Sequence, residues 1–153
     1  MKKSHRIAEA YLKQYVTLSE QLHIIDEQMF SSSRLLLLLD QENGREDSGE
    51  NETLTALHRR AGFRQKELKV SRVAIEGKLA AIQGILDRLP SVERRILMRF
   101  YIEGTFRMAA SDLMDELGYE KSQIYRLRAR ALEHVFHLLG DSAAVLIPDN
   151  TAG

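Results

Sequence analysis

The stretch LMDELGYEKSQIYRLRARAL, residues 113–132, decides how this chain is read. Leu113, Leu117, Ile124 and Leu127 fall where two short helices crossing at a sharp turn need an inner face. Gly118 supplies the left-handed residue of that turn, and Tyr119 covers its outside. Glu120, Lys121, Ser122, Gln123, Tyr125 and Arg126 point outward from the start of the second helix, followed by Arg128 and Arg130. A polar, basic first turn on the second helix of such a pair is what a major groove accepts, so the spacing predicts a module that reads DNA.

The rest of the C-terminal part supports that unit. Pro90 breaks the preceding segment, and Ser91 is placed to cap a helix over Val92 to Glu103. Val92, Ile96, Leu97, Phe100 and Tyr101 give this helix an apolar face, with Gly104 in the position after its end. A helix over Phe106 to Leu117 follows. The last helix starts at Lys121 or Ser122 and runs to about Leu139, burying Ile124, Leu127, Ala131, Leu132, Val135, Phe136, Leu138 and Leu139. Gly140 is expected to close it, leaving residues 141–153 as a flexible tail in which Val145, Leu146 and Ile147 are the only apolar run.

The N-terminal half carries a different period. Leu18, Leu22, Ile25, Met29, Leu36 and Leu39, with Ser32 in the skipped place, make a heptad seam, and Ile7, Tyr11 and Tyr15 extend it backward. One long helix is expected over His5 to Asp40. Residues 41–53 are polar, acidic and glycine-containing, and read as a loop. A second long helix from Thr53 or Leu54 to Leu89 shows a seam at Leu68, Ile75, Leu79, Ile82, Leu86 and Leu89, with Arg72 in the remaining seam position. The two seams pair either with each other, as an antiparallel hairpin, or between chains. Five leucines at 35–39 leave apolar surface off a single seam, which makes a homodimer the expected assembly.

The expectation is therefore an all-α protein in two parts: a helical hairpin over 1–89 and a helix-turn-helix module over 90–140. Leu, Ala, Glu, Lys, Arg and Gln dominate and only two prolines interrupt, in keeping with helix throughout. Cysteine is absent, which excludes disulfides and thiolate metal sites and fits a cytoplasmic location. The longest apolar run, Leu35 to Leu39, is far short of the roughly 20 residues that span a bilayer, and no secretory leader is evident. His134 and His137 lie three apart, a spacing that could hold a metal, but without carboxylate or cysteine partners nearby, so neither metal nor cofactor is expected. The motifs of nucleotide hydrolysis, zinc proteolysis and serine hydrolysis are missing, which argues against an enzyme.

Formal net charge is zero, which by itself disfavours a phosphate backbone as partner. Its distribution is uneven. Residues 53–89 hold eight lysines and arginines against three acids, net +5, while 41–52 hold one against five, net −4. Residues 120–139 hold four against two, net +2. DNA affinity of such a chain should be modest and salt-sensitive. Arg94, Arg95 and Arg99 read as a solvated helix face.

Leu89-Pro-Ser-Val-Glu-Arg-Arg-Ile-Leu, Phe100-Tyr-Ile-Glu-Gly-Thr, Glu116-Leu-Gly-Tyr and Ile124-Tyr-Arg-Leu-Arg-Ala-Arg-Ala-Leu together resemble region 4 of sigma-70-type factors. The whole layout resembles small phage and prophage transcriptional regulators of the RinA and ArpU kind. The resemblance implies that the last helix enters the major groove of a promoter and that the module contacts RNA polymerase. By position, Lys121, Ser122, Tyr125 and Arg126 would then face bases, while Gln123, Arg128 and Arg130 would hold phosphates or neighbouring bases. The chain departs from the sigma pattern by about four more residues between Thr105 and Gly118, one extra helical turn, and by Met114 where alanine is usual. It also lacks the other sigma regions. The competing class is a coiled-coil adaptor that docks proteins without reading DNA.

Overall fold

The computed structural model describes residues 1–43 and 51–146, and its elements are five helices: α1 (Lys3–Asn43), α2 (Asn51–Asp87), α3 (Ser91–Tyr101), α4 (Phe106–Leu117) and α5 (Lys121–Leu146). The fold is all-α, as the periodicity predicts, and no strand occurs among the described residues. Most of the loop expected at 41–53 and the end of the expected tail lie outside the described residues. None of the described helices is long and apolar enough to cross a membrane.

Several boundaries differ from the sequence expectation. Pro90, extended at φ −54° and ψ 147°, is itself the N-cap of α3, and no side chain caps that helix; Ser91 is already helical. The fixed φ of proline directs the chain into the helix here, without a serine oxygen. Ile102, not Gly104, is the C-cap of α3, and Gly104 (φ 68°) serves the loop beyond it. Gly140 does not close α5, which continues to Leu146. Gly62, Gly77 and Gly84 likewise lie within α2 without ending it. A helical glycine lowers stability without forcing a stop.

The chain divides into two compact units, residues 18–78 and residues 1–17 with 79–153. In the first, α1 and α2 pair within one chain. Arg72 donates to Asp26 at 2.7 Å, Gln65 to Ser33 at 3.0 Å, and His58 meets Asp40 at 2.7 Å. Each step of seven along α1 is matched by seven back along α2, so the heptads run antiparallel. Leu18, Leu39, Ala61 and Leu68 are buried on this seam. Ser32, in the skipped seam place, donates its hydroxyl to the Ala61 carbonyl at 3.4 Å.

The second unit corrects the expected boundary at 89/90. Ala8 and Leu12 of α1, Ile82, Ile85 and Leu86 at the end of α2, and Leu89 just beyond it are buried in the same unit as α3, α4 and α5. The C-terminal helices contribute Ile96, Leu97, Phe100, Leu113, Ile124, Leu132 and Val135. The start of α1 and the end of α2 thus complete the core that α3, α4 and α5 share.

Gly84 and Gly118 give opposite expectations. At Gly84 a Cβ would meet nothing within 4 Å in helical backbone, so Gly84→Ala should raise stability by about 0.5–1 kcal/mol. Gly118 is left-handed at φ 72°, so Gly118→Ala should lower stability by about 1 kcal/mol. Urea unfolding of the two variants checks both signs.

Candidate nucleic-acid interface

The helix pair α4–α5 is built by its sequence. Leu113 and Ile124 are fully buried, Leu117 and Leu127 half-buried. Gly118 at φ 72° and ψ 19° is the C-cap of α4, its N–H donating to the Met114 carbonyl at 2.9 Å. Only three residues separate the helices, and α5 starts at Lys121. Ala109 and Ala110, both buried, give α4 the small side chains that allow close helix packing, so Met114 is left at the rim, 36% exposed.

On α5, Lys121, Ser122, Gln123, Tyr125, Arg126 and Arg130 are exposed. Ser122, Arg126 and Arg130 repeat at four-residue steps and so share one side of the helix. Neither Arg126 nor Arg130 has an ion-pair partner among the described residues. The Lys121 ammonium lies 6.0 Å from the Tyr125 ring centroid. Tyr125 is outward as expected, 41% exposed, with its inner edge against Phe100 at 6.1 Å between ring centroids.

Arg128 does not belong to this outward set. Its side chain is only 12% exposed. Its Nη2 donates to Glu9 Oε2 at 2.8 Å and its Nε to the Tyr101 hydroxyl at 3.0 Å. The guanidinium lies 4.9 Å from the Phe100 centroid and 5.0 Å from that of Phe106, within an aromatic enclosure that Tyr101 and Tyr125 complete. Tyr101 in turn donates to the same Glu9 oxygen at 2.6 Å. The expectation that Arg128 holds DNA is therefore corrected: it fastens α1 to α3 and α5. Spacing along α5 separates Arg126 from Arg128 by two positions but cannot reveal which side another helix covers. Glu9 lies 119 residues from Arg128, and no local motif marks it.

The remaining basic residues sort in the same way. Arg95 grips Glu116 through two nitrogens at 2.6 and 2.9 Å and reaches Glu103 at 2.8 Å, and Arg99 pairs with Asp112 at 2.9 Å. Two of the three arginines expected on a solvated face of α3, Arg95 and Arg99, thus hold α4. The hydrogen bonds from Arg95 hold the Glu116 carboxyl below its usual value. His134 Nδ1 sits 2.6 Å from Glu93, a buried carboxylate in the first turn of α3, where the helix dipole favours it. His5 and His137 both approach Glu133, at 2.9 and 3.4 Å. The fold thus gives His134 and His137 carboxylate neighbours, though no group of three or more potential metal ligands forms among the described residues.

Burial raises the Glu9 carboxyl, but hydrogen bonds from Tyr101 and Arg128, with Lys13 nearby, outweigh it and leave the group below its ordinary 4.5. A carboxylate with a depressed native value contributes stability above its unfolded value and loses it as pH falls through the folded one. Between about pH 5 and 3 the wild type should lose more stability than Glu9→Gln, as thermal unfolding across that range would show. Arg128→Ala leaves Glu9 and Tyr101 without their donor and partner, and should cost about 3 kcal/mol in chemical unfolding. Arg126→Ala, on the open side of the same helix, should change stability by less than about 0.5 kcal/mol.

No protein-family model, curated protein or solved structure matches the chain, so the geometry of α4 and α5 carries the functional reading by itself.

Proposed function

We propose that this chain is a sequence-specific regulator of transcription, acting on phage or prophage genes, that lays the first turns of α5 in the major groove of duplex DNA. The observation that carries the reading is the basic side of α5, which has no ion-pair partner among the described residues. Arg126 and Arg130 are open on one helical side with Ser122, while Arg95, Arg99 and Arg128 are held by acids of the protein. Lys121, Ser122, Tyr125 and Arg126, all exposed in the first six residues of α5, offer hydrogen bonds and apolar edges to bases. Gln123 and Arg130, also exposed, flank them as contacts to phosphates or neighbouring bases. The mechanism is binding: α4 lies across the backbone, α5 enters the groove, and no bond is made or broken.

Selection of bound sequences from a random duplex pool at near-physiological salt tests this, and one enriched motif is the expected result. On that motif Arg126→Ala should weaken binding by about 1–3 kcal/mol and relax one base position. An equal loss on random DNA would make it a phosphate contact instead. Affinity should also fall steeply with salt as counterions are released. A folded protein that enriches nothing would overturn the reading in favour of a protein-docking adaptor.

A further inference from the structure

The hairpin unit has a second heptad pattern that its own seam does not use. Phe63, Val70 and Val73 of α2 are 66, 71 and 68% exposed, although each is a large apolar residue. Phe63, Val70 and Gly77 recur every seven residues, and Lys66 and Val73 fall three after the first two. All five are turned away from the seam, where Ala61 and Leu68 are buried and Arg72 and Ile75 half-buried. A stripe at 3.5-residue spacing on the outer side of a helix is the pattern that pairs two helices.

We propose that this outer face of α2, from Phe63 to Gly77, is a self-association surface taken by the same face of a second copy, antiparallel about a two-fold axis between Ser71 and Arg72. In an antiparallel pair each residue of one heptad position lies against the intervening position of the other helix. That register sets Val70 on Val73 of the second copy, twice. It also sets Lys66 beside Gly77, where nothing stands within 4 Å of the space a Cβ would take, so the lysine stem can cross the bare backbone and its ammonium reach water. Along one flank the same register brings Lys69 against Glu76 of the second copy, again twice, and both are exposed. A parallel pairing would instead stack Lys66 on Lys66 and leave Lys69 opposite Ala74. Charge complementarity thus selects both the occupant, a second copy, and its direction. Leu35, Leu37 and Leu38 of α1, also exposed, show no such self-complementary register. The proposal stands apart from DNA reading and survives its failure.

Sedimentation equilibrium of the full chain tests it. The wild type should dimerise. Val70→Glu should weaken the dimer on the order of a hundredfold, because it buries a carboxylate in the apolar centre, with helix content by circular dichroism unchanged. Lys69→Glu and Glu76→Lys should each weaken it on the order of tenfold, and the double swap should restore it. Three results overturn the proposal: a monomeric wild type, a dimer indifferent to Val70→Glu but broken by Leu38→Glu, or a double swap no better than either single change.

Discussion

One carboxylate sets the arrangement of the C-terminal unit. Glu9 receives hydrogen bonds from Tyr101 of α3 and Arg128 of α5 on the same oxygen, and Lys13 approaches the other. Buried charges are tolerable only when paired and hydrogen-bonded, and each member here depends on the other two. The aromatic rings of Phe100, Tyr101, Phe106 and Tyr125 all have their centroids within about 6 Å of the guanidinium and leave little of it open to water. Because Phe106 opens α4 and Phe100 and Tyr101 end α3, a single arginine of α5 gathers the ends of two helices beside the second turn of α1. A further contact, Ser4 and His5 on Glu133, extends the hold of α1 along α5.

That anchor also sorts the charge of α5. Arginines at 126, 128 and 130 look equivalent as a run, yet the helix turns them to different sides. The middle one is drawn inward and paired with Glu9, and its neighbours are left without acids among the described residues. A chain with zero formal net charge can in this way present an uncompensated basic strip, because its acids are used locally against particular cations. Glu116, Glu103 and Asp112 perform the same service for Arg95 and Arg99 on α3.

Local features of this fold were legible in the sequence, and long-range ones were not. Leu113, Gly118 and Ile124 lie within twelve residues, so their spacing fixes the turn and the start of α5. The heptads at Leu18 to Leu39 and Leu68 to Leu89 likewise state their period, though only the Asp26–Arg72, Ser33–Gln65 and Asp40–His58 contacts reveal that they pair within one chain. Pro90 misleads about domains: it ends one helix and admits the next, but the core runs across it from Ile82 to Ile96. Gly140 misleads in the same manner, since a glycine after an apolar run stops a helix only when the backbone turns left-handed there. Among the candidate DNA contacts, Ser122, Gln123, Arg126 and Arg130 are outward as read, and Tyr125 and Lys121 are outward with one side engaged. Arg128 was beyond reach because its partner is at the other end of the chain.

The unit that holds α5 is discontinuous in sequence, drawn from residues 1–17 and 79 onward, with a contiguous stretch of 61 residues set between them. During synthesis from the N-terminus, residues 18–78 can zip their heptads as soon as α2 emerges. Glu9 must wait for Tyr101 and then for Arg128 before its charge is matched. Loop closure over so many residues is slow, and the pre-formed hairpin shortens the effective loop by bringing residues 18 and 78 together. The inserted hairpin would thus act as a folding splint for the unit on either side of it, closing a long gap before the last helix is made.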